Sequence, residues 1–155
     1  MKLSPNFTLA ELSFSSTATR KKLDNTPSDK NTANLILLCT GLLQPIRDIV
    51  AKPITVNSGY RSPSVNLAVG GSVTSAHRFG YAADINCYAY GSSKQFAEFI
   101  VKELRARNIK FDQIILEFNQ WVHVAIYNQQ KQQRGQVLTA RTMPNGRTEY
   151  LSGLV

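Results

Sequence analysis

The sequence predicts an α+β fold, a single domain in which helices pack against a central antiparallel β-sheet. Two amphipathic helical stretches and several short strand segments support this, and the strands are not regularly separated by crossover helices. The chain has 155 residues, 43% of them hydrophobic, which is enough to build one core without covalent cross-links. We therefore treat residues 1–155 as one domain.

The first predicted helix runs from Lys30 to Ala51 and is followed by Pro53, which ends it. Its apolar residues recur at intervals of three and four and so share one face: Leu35, Leu38, Leu42, Ile46 and Ile49. No stretch is expected to be long and apolar enough to cross a bilayer. The opening residues, Met1 to Ala10, lack the continuous apolar run of a signal peptide.

The second predicted helix begins with a capping box, in which Ser92 and Gln95 satisfy each other's backbone N–H groups. Its apolar face carries Phe96, Phe99, Ile100 and Leu104, and the helix is expected to stop near Asn108. Strands are predicted at 54–57, 83–87, 113–118, 121–127 and 137–142, with a Pro144-Asn145-Gly146 turn after the last.

The first of the two histidines lies shortly before a predicted strand, in the sequence Ser75-Ala76-His77-Arg78-Phe79-Gly80-Tyr81-Ala82-Ala83-Asp84. Because side chains alternate across a strand, Ala83, Ile85 and Cys87 point to one face and Asp84 to the other. Gly80 permits a tight bend that returns the chain towards His77. We expect His77 and Asp84 to meet.

The second histidine, His123, lies in a strand whose core face is formed by Val122, Val124 and Ile126. If this strand forms a hairpin with the preceding one through a three-residue loop at 119–121, Glu117 stands directly across from His123, with Cβ atoms ~5 Å apart. A two-residue loop would instead put the two side chains on opposite faces.

Two histidines and one carboxylate leave the fourth position of a tetrahedral zinc ion open for water. A nearby glutamate that does not bind the metal can take a proton from such a water. The pattern therefore indicates a hydrolytic zinc centre.

Three segments together resemble the superfamily of zinc D-alanyl-D-alanine carboxypeptidases and L-alanyl-D-glutamate endopeptidases, which includes a fold like the amino-terminal domain of hedgehog proteins. They are Ser75-x-His77-x-x-Gly80-x-Ala82-x-Asp84, Trp121-x-His123, and Ser58-Gly59-Tyr60-Arg61-Ser62. The chain is most similar to small phage or prophage members, from Leu3 to about Ile126. No motif is identified after that point.

The resemblance implies zinc as cofactor, with His77, Asp84 and His123 as its ligands. It implies that Arg61 is catalytic and holds a substrate carboxylate or a developing oxyanion, a task that suits a permanently charged donor fork. The alternative for Arg61 is a structural ion pair. Tyr60, Ser75 and Trp121 are implied as substrate-binding or supporting residues around the site, although Trp121 could simply pack.

The catalytic glutamate differs between members of the superfamily. Some carry it three residues before the last histidine, where this chain has Gln120, which cannot act as a base. Others carry it six residues before, and Glu117 fits that position. We therefore predict that Glu117 is the general base. The alternative is a solvent-facing strand residue beside a zinc site that does not turn over substrate.

The resemblance implies peptidoglycan stem peptides as substrate and an endolysin-like L-alanyl-D-glutamate endopeptidase as the leading function. A D-alanyl-D-alanine carboxypeptidase and a non-catalytic, zinc-stabilised virion or binding domain are the alternatives. We expect a monomer made in the bacterial cytoplasm without a signal peptide, acting on the cell wall after release or as a phage component.

The formal net charge of +8 predicts attraction to a polyanion, and anionic cell-wall polymers are candidates. The basic residues are spread along the chain without a stripe or aromatic interleaving, so no specific nucleic-acid or membrane partner is predicted. Cys39 and Cys87 lie in apolar surroundings, which favours buried free thiols over a disulfide.

Overall fold

The computed structural model describes all 155 residues. In chain order the helices are α1 (Leu9–Ser13), α2 (Ser16–Lys21), α3 (Asp29–Leu38), α4 (Gln44–Val50), α5 (Pro63–Ala68) and α6 (Ser93–Ala106). The strands are β1 (Lys2–Ser4), β2 (Phe7–Thr8), β3 (Thr55–Ser58), β4 (Ala82–Asn86), β5 (Gln113–Glu117), β6 (Trp121–Ala125), β7 (Gln136–Thr142) and β8 (Thr148–Ser152). A π-helical turn at Cys39–Leu43 and a 3-10 turn at Ala76–Phe79 complete the fold.

Six strands form the main sheet in the order β3-β4-β6-β5-β7-β8, while β1 and β2 pair separately. The α+β class is confirmed, but the sheet is mixed and not purely antiparallel, because β5 and β7 run parallel. Strand β6 ends beside the start of β5. The chain then crosses to the other side of β5, and β7 begins there beside the start of β5, so these two strands run parallel. A purely antiparallel sheet is expected when successive strands are all joined by hairpins, but the connection from β6 to β7 is not a hairpin.

Helices cover one face of the sheet and leave the other open for a site. The core includes Ile85 of β4, Ile114 and Leu116 of β5, and Val122 and Val124 of β6, together with buried residues of α3, α4 and α6. The alternation predicted for β4 and β6 is confirmed, and Asp84 and His123 lie on the opposite face from these core residues.

The predicted first helix is present, but a π-helical turn separates α3 from α4. In this wider turn the N–H of Gln44 bonds to the carbonyl of Cys39, immediately before Pro45, which has no N–H and cannot fit a regular helix interior. Ala51 adopts a left-handed conformation and ends the helix two residues before Pro53.

The helical stretch Asp29–Val50 is 22 residues long and has the length and composition of a membrane span, contrary to the expectation that none exists. Half of it is buried inside the protein. Leu35, Leu38, Leu42 and Leu43 have no exposed surface. A core helix meets the same criteria, and this burial places the stretch in the core.

Helix α6 confirms the predicted capping box at Ser92 and Gln95, and it ends at Ala106, within two residues of the expected stop. The predicted strands are all present within about two residues at each end. The short elements β1, β2, α1, α2 and α5 and the last strand β8 were not predicted.

Both cysteines are buried and free, as favoured by their apolar neighbours. Burial raises the pKa of the Cys39 thiol to about 12, which removes the reactive thiolate at neutral pH. We expect a thiol reagent such as Ellman's reagent to modify no cysteine in the native protein and two per chain after denaturation. Rapid modification of the native protein would contradict the burial, and no modification after denaturation would indicate a disulfide.

Candidate metal centre

The structure brings His77, Asp84 and His123 together as a buried group. Their ligand atoms all lie within 4.8 Å of one another. Asp84 Oδ1 is 3.2 Å from His77 Nε2 and 3.0 Å from His123 Nδ1. Zinc bonds of about 2.0–2.1 Å in a tetrahedron separate neighbouring ligand atoms by about 3.3 Å, so these spacings and this donor set fit a zinc ion.

His77 is positioned by the 3-10 turn that precedes β4. The Ser75 side chain accepts a hydrogen bond from the His77 backbone N–H at 3.3 Å and starts this turn. Gly80 ends it with φ of 80°, and a Cβ there would lie 2.7 Å from the carbonyl oxygen of Asn31. The bend at Gly80 was predicted from the sequence, and it brings His77 back to Asp84.

A second contact fixes the orientation of the His77 ring. Its Nδ1 is 2.7 Å from the carbonyl oxygen of Gly59, to which it donates when Nδ1 carries the proton. That tautomer leaves Nε2 free to bind a metal, as metal-binding histidines usually do. Gly59 itself packs against α1, where a Cβ would lie 2.3 Å from the carbonyl oxygen of Leu12. The N-terminal helix therefore supports the site indirectly.

The other two candidate ligands are cross-strand neighbours, because Asp84 of β4 pairs directly with His123 of β6. Glu117 of β5 lies on the same face, with Oε1 3.6 Å from His123 Nδ1. The predicted register of this hairpin is wrong, however. Glu117 pairs with Trp121, Ile115 pairs with His123, and the three-residue loop is 118–120.

This register follows from the turn, in which Phe118 and Asn119 both have positive φ. The backbone N–H of Gln120 closes the turn on the carbonyl of Glu117 at 3.0 Å. The strand begins again at Trp121, so the partner of Glu117 is two residues earlier than the predicted His123. Glu117 and His123 are therefore diagonal neighbours, which is still within reach for their side chains.

Burial shapes the protonation of the three candidate ligands. It lowers the pKa of His77 more than the charge of Asp84 raises it, which favours the neutral imidazole that binds metals. Burial alone would raise the pKa of Asp84, but the charge interaction with His77 and hydrogen bonds from both histidines keep this pKa below its usual range. Burial would also lower the pKa of His123, but its hydrogen bond and charge interaction with Asp84 raise it.

Burial also raises the pKa of Glu117 above its ordinary value. The charge of His123 opposes this increase, whereas the negative charge of Asp84 adds to it. A carboxyl group with a raised pKa holds a proton more readily, which suits a group that must accept one and pass it on.

Arg61 contacts the same cluster. Its Nη2 donates to Asp84 Oδ2 at 3.3 Å and its Nε donates to Ser58 Oγ at 3.2 Å. Its side chain is 18% exposed and lines the cleft over the site. Arg61 therefore makes the structural ion pair that was its alternative role, and it also faces the space where a substrate would lie.

The remaining predicted residues occupy different places. Ser75 and Trp121 line the cleft, whereas Tyr60 is 4% exposed and belongs to the core, with its hydroxyl near Asn31. Because Tyr60 is buried, it can support the residues around the site but cannot contact a substrate. The indole Nε1 of Trp121 is buried near the Glu117 carboxyl group.

The candidate centre opens into a cleft of about 820 Å³. The loop from Val69 to Ala76 forms one side, and residues of β7 and β8 form the other. The far end is closed by Asp112 and Arg134, which form an ion pair at 2.8 Å. The β7–β8 residues Leu138, Thr148 and Tyr150 were not predicted as site residues, because only the pairing of distant strands brings them to the cleft.

Comparison with known proteins places these residues in a wider context. A family model described as Peptidase M15 matches residues 5–125, a range that includes the three candidate ligands, Arg61 and Glu117. Over 74 residues the chain is 39% identical to the zinc D-Ala-D-Ala carboxypeptidase of Streptomyces albus G. This match covers 47% of the chain and 26% of that relative, so the chain corresponds to about a quarter of the relative's length.

Proposed function

This chain belongs to the peptidase M15 family, and we propose that it is a zinc-dependent peptidase that hydrolyses peptidoglycan stem peptides as an L-alanyl-D-glutamate endopeptidase. The observation that carries this proposal is the buried group of His77, Asp84 and His123 beneath an open cleft, with Glu117 beside it. His77, Asp84 and His123 would hold the zinc ion. When bound, zinc polarises the substrate carbonyl and makes an attacking water more acidic.

The protein's own residues then move the proton and stabilise charge. The Glu117 carboxylate accepts a proton from the attacking water and donates it to the nitrogen of the cleaved bond, which leaves as an amine. Arg61 holds Asp84 through Nη2 and presents the rest of its guanidinium to the negative charge that develops on the carbonyl oxygen. Trp121 lines the cleft beside these groups.

The length of the cleft supports an endopeptidase. The cleft extends from the loop at Val69 to Ala76 on one side of the candidate ligands to Leu138, Thr148 and Tyr150 on the other. Substrate residues on both sides of the cleaved bond therefore fit. The relative from Streptomyces albus G instead favours a D-alanyl-D-alanine carboxypeptidase as the second candidate.

Digestion of purified peptidoglycan tests these two functions directly. New D-glutamate amino termini, identified by labelling and mass spectrometry, are the expected product. Release of free D-alanine without such termini would contradict the endopeptidase function and support the carboxypeptidase function. Release of neither product by zinc-loaded protein would favour a binding domain.

We also propose that the protein acts on the bacterial cell wall as a phage or prophage lysin made in the cytoplasm. The net charge of +8 supports loose association with anionic wall polymers, which salt should screen. In a pull-down with purified walls, we expect the bound fraction to fall steeply as NaCl increases from about 0.05 M to about 1 M. A bound fraction that does not change with salt would contradict the electrostatic part of this proposal.

A further inference from the structure

The hairpin formed by β7 and β8 lies entirely outside residues 5–125, the range matched by the family model. It nevertheless forms one side of the cleft, through Leu138 of β7 and Thr148 and Tyr150 of β8. The parallel pairing of β7 with β5 places it there. This wall is therefore an addition to the part of the chain that carries the candidate metal centre.

The strand register places Tyr150 in line with the catalytic residue. Glu117 pairs with Ala140, and Ala140 pairs with Tyr150, so the three residues form one row across the sheet. Paired residues share a face, and strands lie about 4.8 Å apart, which puts the Cα atoms of Glu117 and Tyr150 about 10 Å from each other. Ala140, between them, is fully buried and does not line the cleft.

The chemistry of this wall is aromatic and aliphatic. Tyr150 is 57% exposed, and Leu138 lies on the same face, where it pairs with Ile115 of the cleft floor. The charged residues of the two strands, Arg141 and Glu149, pair with each other at 2.8 Å on the opposite face. The hairpin residues that line the cleft thus present carbon surface and hydroxyl groups and carry no charge.

The sheet order assigns this wall to one half of the substrate. The candidate ligands lie on β4 and β6 or beside them, Glu117 lies on β5, and the hairpin follows on the far side. The carbonyl of the cleaved bond must lie over the ligands, while its nitrogen must reach Glu117 to receive the proton. The chain that continues from that nitrogen therefore runs towards β7 and β8.

We propose that Leu138 and Tyr150 form a binding site for the leaving half of the peptide, where they contact aliphatic parts of the residues that follow the new amino terminus. This inference rests on the proposed peptidase function. Tyr150 would then determine which peptides bind, because it contacts the substrate residues that follow the one supplying the leaving amine. The exposed position of Tyr150 also means that its replacement should leave the fold intact.

The test uses peptide binding in the zinc-loaded Glu117→Gln protein, which does not consume its ligand. Two N-acetylated stem peptides are compared by calorimetry, one ending at the residue that supplies the leaving amine and one continuing for two more residues. We expect Tyr150→Ala to weaken binding of the longer peptide about tenfold, through loss of contact with the ring, and to change binding of the shorter one less than about twofold. Tyr150→Phe should retain most of the affinity.

Glu149→Gln is the matched control, since it alters the neighbouring residue on the opposite face and should affect neither peptide. Equal effects of Tyr150→Ala on both peptides, or no effect on the longer one, would overturn the inference. Turnover by the wild-type protein is measured separately. If it cleaves neither peptide but the length-dependent loss of binding is found, the proposed function fails and the binding site stands.

Discussion

Replacement of Glu117 by Gln is expected to lower the rate of peptide hydrolysis by about 100-fold to 10,000-fold, the usual cost of losing a general acid or base. The amide has nearly the same size and can still form hydrogen bonds, but it cannot take a proton from water. Because Glu117 lies 3.6 Å from His123 without belonging to the candidate ligand group, zinc content and folding should not change. Single-turnover assays and elemental analysis measure the two quantities.

Gln120→Ala is the matched control for this substitution. Gln120 lies in the loop of the same hairpin, is exposed, and contacts Asn86 only through its backbone carbonyl, which the substitution retains. Its rate should stay close to that of the wild type. An active Glu117→Gln protein with a full complement of zinc would show that another group is the base.

Replacement of either histidine by alanine is expected to reduce zinc from about one ion per chain to almost none, and activity with it. Two protein ligands hold zinc far more weakly than three, and the cavity left by His77 or His123 is buried, so no surface residue can substitute. Circular dichroism checks that the variants remain folded, because the substitution also leaves Asp84 with one fewer partner. Stoichiometric zinc in both folded variants would exclude this site.

Much of the candidate site follows from local sequence patterns. Alternation in β4 and β6 is enough to put Asp84 and His123 on the face away from Ile85 and Val124, and Gly80 is enough to predict the bend that returns His77. These features depend only on the strand repeat of two and on backbone freedom at one glycine. They explain why the faces of Asp84 and His123 and the return of His77 could be predicted, whereas the full ligand set was implied by the resemblance to the zinc peptidase superfamily.

The register of the β5–β6 hairpin could not be obtained in this way. It depends on positive φ values at Phe118 and Asn119, and a bulky aromatic residue rarely adopts that conformation, so nothing in the sequence marks Phe118 as a turn residue. The backbone N–H of Phe118 bonds to the carbonyl of Ala140, a contact between distant segments. Tertiary pairing therefore contributes to a turn that appears local.

The wall formed by β7 and β8 was missed for a similar reason. The strand at 137–142 was predicted, but its position next to β5 depends on Arg134, which bonds to the buried Asp112 and anchors the loop before β7. Such a long-range ion pair has no signature in the sequence. Tyr150 could have been considered a site residue only after β8 had been placed.

Zinc titration of the metal-free protein tests the central claim most directly. The protein is stripped with a chelator, and peptide hydrolysis is measured as zinc is added in fractions of one equivalent per chain. The rate should rise linearly from near zero and level off at about one equivalent in the wild type, and it should not rise in His123→Ala. Full hydrolysis by the metal-free protein, or equal activation of His123→Ala by zinc, would contradict a peptidase that depends on zinc held by His77, Asp84 and His123.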